Sequence, residues 1–202
     1  QPFFLMCHHK APHDFWEYAQ RHEHMFDDKT IPEPESLFED RSHRSPATRD
    51  FGSSVTPRSR IRSLYYDFCK KDYVTGPLQG TEHMTYEEKG KAAYQKYLKD
   101  YLRTVAAIDD SVGKLLDVLE AEGILEDTVV IYTSDQGMFL GEHDYQDKRW
   151  SFEESLRTPF LIRYPKEIQA GSVCKALMAN IDVAPTLLDY AGIEIPEEMQ
   201  GV

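Results

Sequence analysis

The stretch "VVIYTSDQGMFLGEHDYQDKRWSFEES", Val129–Ser155, decides how this chain is read. Its first residues are β-branched, aliphatic and aromatic, the composition of a buried strand. The run stops at Ser134-Asp135-Gln136-Gly137, a turn-forming group. Within a dozen residues follow Glu142, His143, Asp144, Asp147, Lys148 and Arg149. A strand that ends in an acid–amide pair and then a mixed-charge loop suits the ligand-facing rim of an α/β sheet, where sites lie beyond strand ends.

The flanking sequence supports that class. Upstream, Leu98, Tyr101, Leu102, Val105, Ile108, Val112, Leu115, Leu116 and Leu119 recur at three- and four-residue steps, which predicts a long amphipathic helix. Thr85 and Glu88 offer a capping box at its start, and Gly123 a stop at its end. Downstream, "TPFLIRYP" (158–165) predicts a second strand, "CKALMANI" (174–181) a weaker one, and "DVAPTLLDYAG" a short helix with Gly192 past its end. At the start, "PFFLMCHH" (2–9) is a continuous apolar run that predicts a strand buried on both faces, with Pro12 in the loop beyond it. Strand, helix, strand, strand, helix implies an α/β layered fold. The Pro-, Ser-, Arg- and Asp-rich text from about 27 to 80 is too long for an ordinary connection. It reads as an irregular insertion, either ordered and substrate-facing or mobile and without a role.

The 202 residues carry 35 acidic and 23 basic side chains, a net charge of −12. This argues against a nucleic-acid partner held by phosphate contacts. No apolar run approaches the roughly 18 residues of a membrane span. The cysteines, Cys7, Cys69 and Cys174, are three and widely spaced, which indicates neither a zinc ribbon nor a dithiol redox site. The chain opens on "QPFFLMCHH" and stops at "EEMQGV", which suggests a piece of a longer protein.

The strand-end residues can do particular chemistry. A carboxylate and an amide carbonyl, Asp135 and Gln136, suit a hard cation such as calcium, which needs further oxygens from elsewhere. A plain Asp-x-Gly turn is the competing reading. Lys148 and Arg149 could oppose an anionic oxyester, or be a solvated pair. His13, in "KAPH" after the first apolar run, could protonate a leaving oxygen, or be an ordinary surface histidine.

Taken together, "PFFLMCHHKAPH", "TSDQGMFLGEHDYQDKRWSFEESLRTPFLIRYP" and "ANIDVAPTLLDYAGI" resemble the sulfatase family of the alkaline-phosphatase-like superfamily. Within it, the pattern is most like N-acetylglucosamine-6-sulfatases and bacterial relatives acting on mucin or glycosaminoglycan sugars. The resemblance implies a layered fold with a mostly parallel central sheet flanked by helices, of which residues 1–202 would be the C-terminal part. It implies that Asp135 and Gln136 are two calcium ligands, that Lys148 holds a sulfate oxygen, and that His13 contacts the sulfate or the leaving oxygen. His143, Arg149 and Glu153 stand where the resemblance implies either sugar contacts or partners that support the site residues, without fixing which; His8 and His9 receive no role.

The family's nucleophile is a formylglycine made from the Cys or Ser of a C/S-x-P/A-x-R motif. None of the three cysteines fits, and "SPATR" (45–49) matches on paper but follows His13 instead of preceding it. The resemblance therefore implies a nucleophile outside this chain and a parent hydrolysing a sulfated mono- or oligosaccharide. The parent would be matured by a formylglycine-forming enzyme and sit in the periplasm, outside the cell or in lysosomes. The isolated chain would be inactive. A phosphodiesterase or phosphonate monoester hydrolase of the same superfamily, a non-catalytic sugar-binding relative, and a plain α/β domain are the alternatives. Convergence of His13, Asp135, Gln136 and Lys148 on one rim discriminates them.

Overall fold

The computed structural model describes residues 2–201. In chain order the elements are α1 (Pro46–Asp50), α2 (Leu64–Phe68), α3 (Tyr86–Ala121), β1 (Val130–Thr133), β2 (Phe139–Leu140), β3 (Gln146–Asp147), α4 (Glu153–Leu156), β4 (Phe160–Arg163) and α5 (Val183–Tyr190), joined by loops and single 3-10 turns.

Helix α3 is the spine. Its 36 residues span about 54 Å at 1.5 Å per residue. The capping box forms: Glu88 N–H donates to Thr85 Oγ1 at 3.3 Å and Thr85 N–H to Glu88 Oε2 at 2.7 Å. At the other end Gly123 takes φ +69. There the Ile124 N–H reaches back to the Leu119 carbonyl at 3.0 Å, closing the helix with a left-handed residue that glycine adopts without a Cβ penalty. Of the predicted stripe, Leu98 and Ile108 are fully covered, with Ala93, Tyr94 and Tyr97 buried in the turns before them; Tyr101, Leu102, Val105 and the stripe residues from Val112 to Leu119 are half-buried. Among the described residues, none of the helices is long and apolar enough to cross a membrane.

What covers α3 is the excursion. Leu37, Val55, Leu64, Tyr65, Phe68 and Tyr73 pack with Trp16 against Ala93, Tyr94, Tyr97 and Leu98 in one cluster. Trp16 sits at its centre, its ring centroid 4.5 Å from Tyr97 and 6.3 Å from Phe68. Polar ties reinforce the apolar ones. The buried Asp100 carboxylate accepts from Thr75 Oγ1 at 2.7 Å, Lys96 Nζ at 2.9 Å and Arg103 at 3.1 Å. The segment is thus ordered, and it supplies most of the core.

The sheet differs from expectation. β1 and β4 pair antiparallel, Val130 opposite Arg163 and Thr133 opposite Phe160, and β2 pairs antiparallel with β3. No parallel ladder between strands forms among the described residues. The reason is local. A parallel return needs a crossover the length of the sheet, usually a helix, whereas the longest helix between β1 and β4 is the four-residue α4. The chain therefore leaves β1 and enters β4 on the same rim, where Thr133 Oγ1 donates to the Pro159 carbonyl at 2.9 Å.

Two further strand expectations fail. Residues 2–9 form no strand, and Phe3, Phe4, Leu5 and Met6 are exposed. The apolar run has no neighbouring strand among the described residues to accept its backbone groups. "CKALMANI" is irregular up to a 3-10 turn at Asn180–Asp182, and Leu177 in it is 99% exposed. The helix after it forms as predicted, with Gly192 at φ +66.

Candidate active site

The loop between β1 and β4 is built on unusual backbone. Gly141, His143, Asp144 and Asp147 all have positive φ, at 108°, 58°, 56° and 88°, conformations that cost a non-glycine residue free energy unless its surroundings enforce them. The excursion does the enforcing. Asp144 is 2% exposed. Its Oδ1 accepts from the Thr56 N–H at 2.8 Å, and its Oδ2 from Thr56 Oγ1 at 2.8 Å and Arg58 Nε at 2.7 Å. The Val55 N–H meets the Asp144 carbonyl at 3.2 Å, and the Gln146 N–H meets that of Ser53 at 3.4 Å. Residues 53–56 thus lie along 144–146 and fix the loop just before Lys148. Burial pushes the Asp144 carboxyl upward, against its N–H, O–H and arginine donors. Burial also lowers Arg41, whose guanidinium stands 3.6 Å from that carboxylate beside the like charge of Arg58.

His13 and Lys148 meet. They line one small recess together with Asp14, Arg62, Met138, Gln146, Asp147 and Arg149. His13 Nδ1 lies 2.7 Å from Asp14 Oδ1, which leaves Nε2 free to face a ligand. The other Asp14 oxygen accepts from Arg62 at 2.5 Å, and Arg62 Nε reaches Asp67 at 3.3 Å. Burial by itself would raise Asp14, but the Arg62 hydrogen bond and charge, with His13 and Lys148, outweigh it and hold the carboxyl below its ordinary range. Arg62–Asp14–His13 is therefore a chain in which a charged carboxylate orients an imidazole. Lys148 is mostly covered, its Nζ 4.0 Å from Asp147 Oδ1, and Arg149 pairs with the other Asp147 oxygen.

Asp135 and Gln136 stand at the end of β1 as predicted, but they do not line that recess; Met138, two residues on, does. The Gln136 amide donates to Asp135 Oδ2 at 3.1 Å, and Asn180 donates to the Asp135 carbonyl at 2.7 Å. An exposed carboxylate and an amide oxygen are hard donors that fit part of a calcium shell. Among the described residues no group of three or more His, Cys, Asp or Glu gathers to complete one. Gly137 follows at an ordinary φ. A Cβ there would lie 2.1 Å from the Glu154 carbonyl oxygen, so this glycine allows a close backbone approach to α4 in place of a left-handed turn.

The remaining candidates are dispersed. The His143 ring faces inward, its Nδ1 at 3.1 Å from Glu39 and 2.7 Å from Arg44, its Nε2 at 3.6 Å from Glu154. Arg149 is exposed apart from its pair with Asp147, and Glu153 is exposed at the start of α4. Ser45 of "SPATR" is exposed, 3.3 Å from Thr48, and lies outside the recess, as do all three cysteines. Neither motif nor periodicity marks Asp14, Arg62, Asp144 or Arg58 in the sequence. The one available signal was the density of arginines between 41 and 62, unusual for a chain so acidic.

The chain is similar to known proteins along nearly all of its length. The sulfatase family model matches residues 1–193. An N-acetylglucosamine-6-O-sulfatase of Bacteroides thetaiotaomicron is 38% identical over 235 aligned residues, covering all of this chain and 41% of that protein. The Bos taurus N-acetylglucosamine-6-sulfatase is 28% identical, again over all of this chain and 31% of its own length. A structure solved in complex with its substrate, D-glucosamine-2-N,6-O-disulfate, superposes with a TM-score of 0.75 at 37% identity, covering 95% of this chain and 44% of that one. A phosphonate monoester hydrolase from Silicibacter pomeroyi superposes at 0.53 with 28% identity, over 63% of this chain and 24% of that one. This chain therefore spans less than half the length of these relatives, and the match across nearly all of its own residues makes it a member of the sulfatase family.

Proposed function

We propose that the protein containing this chain hydrolyses a sulfate ester on an amino sugar, with a glucosamine 6-sulfate as the preferred substrate. The observation that carries the reading is the meeting of His13 and Lys148, 135 positions apart, in one recess with an oriented imidazole. The named activities of the Bacteroides and bovine relatives, and the disulfated glucosamine bound by the solved neighbour, support the substrate class.

Lys148 would neutralise a sulfate oxygen from its partly desolvated position, where a charge acts more strongly than in water. His13, its Nδ1 held by Asp14, would deliver a proton from Nε2 to the departing sugar oxygen. Arg62 keeps Asp14 ionised and so keeps the ring oriented by its Nδ1–H. The donating form is the imidazolium, with N–H on both nitrogens, and it is left as neutral imidazole once Nε2 has given its proton to the sugar oxygen. Asp135 and Gln136 would hold calcium together with oxygens from outside this chain; when bound, the ion supplies further neutralisation of the ester's charge. His143 is proposed as a support that locks the loop through Glu39 and Glu154, and Arg149 and Glu153 as contacts on the sugar side. None of the described residues at the recess can carry a formylglycine, so the nucleophile and its maturation enzyme belong to the parent, as does an extracytoplasmic or lysosomal location.

The test is sulfate release from glucosamine 6-sulfate by the parent protein, measured by ion chromatography. His13→Ala is expected to cut kcat by about 10²–10⁴-fold, and Lys148→Ala by about 10²–10³-fold. The 202-residue chain alone should release none. Phosphonate monoester turnover exceeding sulfate turnover would favour the second reading, which the Silicibacter hydrolase's similarity motivates.

A further inference from the structure

His13 and Lys148 come from segments far apart in the chain, and one buried side chain joins the two beneath the recess. Tyr97, on helix α3, is fully covered and does not line the recess. One string of contacts runs from it to His13. The Trp16 indole packs on the Tyr97 ring, centroids 4.5 Å apart at 51°, and its Nε1–H donates to the Pro12 carbonyl at 3.0 Å. The His13 N–H donates to the Lys10 carbonyl, also at 3.0 Å. Both polar groups of the Pro12–His13 peptide are therefore held, the oxygen by the core and the N–H by the turn.

A second string runs from the same residue to Lys148. The Tyr97 hydroxyl donates to the Phe139 carbonyl at 2.7 Å. Phe139 stands opposite Asp147 in the β2–β3 pair, and the Lys148 N–H donates to Asp147 Oδ1 at 2.8 Å. Trp16, Tyr97 and Phe139 are each 0% exposed, so their contacts are complete within this chain and owe nothing to surface that other parts of the protein would cover. Burial pushes the Tyr97 phenol well above its ordinary value, so the hydroxyl remains a donor wherever an imidazole titrates. Tyr94, three residues earlier on the same helix, makes the same kind of bond to the Pro32 carbonyl at 2.7 Å, but Pro32 belongs to neither string and lies outside the recess.

We propose that Tyr97 is a positioning residue: through Trp16 on one side and the Phe139 carbonyl on the other, it sets where His13 stands relative to Lys148. Its service to a reaction, though not its hold on the two segments, rests on the sulfatase reading above. Without the hydroxyl, the Phe139 carbonyl loses a donor where water does not reach, and β2 with the loop it anchors is free to shift. A displacement of about 1 Å originating far from the chemistry costs on the order of 10²-fold in rate.

The test measures glucosamine 6-sulfate turnover by the parent protein carrying Tyr97→Phe, which keeps the ring and deletes only the hydroxyl. The kcat is expected to fall by about 10–10²-fold, whereas Tyr94→Phe, which deletes the matching hydroxyl, should leave it unchanged. A smaller folded fraction would scale every rate alike, so the deciding measurement is a double-mutant cycle. The Tyr97→Phe loss should shrink to about twofold or less in a His13→Ala or a Lys148→Ala background, because misplacing one group against the other no longer matters once either is gone. An unchanged kcat, equal losses in the two tyrosine variants, or a loss undiminished in both backgrounds overturns the proposal. Should Tyr97→Phe not fold, Trp16→Phe, which removes the N–H that holds Pro12, goes through the same cycle against His13→Ala. If the parent releases no sulfate, the sulfatase reading falls by itself, and crystal structures of the parent and of Tyr97→Phe decide the positioning. A shift of His13 or Lys148 by about 0.5 Å or more upholds it, and superimposable recesses overturn it.

Discussion

The region from Trp16 to Ile108 and the region from β1 to Ile195 use their apolar residues differently. In the first, Trp16, Leu37, Val55, Leu64, Phe68 and Tyr97 are all covered. In the second, Leu161, Leu177, Met178, Ile181, Ile193 and Ile195 are exposed. The difference is one of partners. Helix α3 gives the excursion a long continuous stripe to fold onto, whereas among the described residues β1 and β4 pair only with each other, and two strands cannot enclose a core. The irregular text, which looks the less structured of the two, is the part that organises the chain, and it also holds the residues that aim the candidate site.

That contrast can be broken most directly at its extremes. Trp16→Ala should cost about 3–5 kcal/mol in urea denaturation of the chain, whereas Leu177→Ala, at a fully exposed position, should stay within about 0.5 kcal/mol. Comparable losses would mean that the two regions do not differ as described. Next, Asp144→Ala should destabilise by about 3–5 kcal/mol, because the buried Arg41 and the half-buried Arg58 would be left without a counter-charge. Asp144→Asn should cost less, since the amide oxygen can still accept from Thr56 and burial already disfavours the charged form. An Asn variant as damaged as the Ala variant would show that charge, not hydrogen bonding, holds the loop.

The smallest effect sharpens the site itself. The Asp14 carboxyl is held below its ordinary value in the folded chain, so the folded state binds fewer protons there than the unfolded one. Its contribution to stability is present above about pH 4, the unfolded carboxyl's range, and is lost as pH falls through the lower folded value. Asp14→Asn should flatten stability against pH in that acid window and leave it unchanged in slope near neutrality. An unaltered acid limb would mean that the Arg62 pairing is not retained in solution.

Local features were legible in the sequence because their causes are local. Thr85 with Glu88, Gly123 and Gly192 mark helix ends through backbone conformation and neighbouring hydrogen bonds. β1 and β4 were readable as apolar runs, but their direction was not, since pairing depends on what the connection between them can span. The run at 2–9 forms no strand for the same reason: hydrophobicity favours burial, and burial requires a partner that a single segment cannot announce. His13 and Lys148 stand in stretches that carry the family resemblance. The pairs Asp14–Arg62 and Asp144–Arg58 were not legible, because they join residues 48 and 86 positions apart and have no periodicity or motif of their own.

Arg62 carries a consequence for anyone who would shorten this protein. It sits in the excursion, yet its guanidinium is what steadies the carboxylate behind His13. A deletion that trims 27–80 to a tight turn, the usual first move in making a smaller catalyst, would remove that guanidinium along with much of the core. Even a redesign that restored the packing would have an imidazole free to rotate and a proton donor without an address.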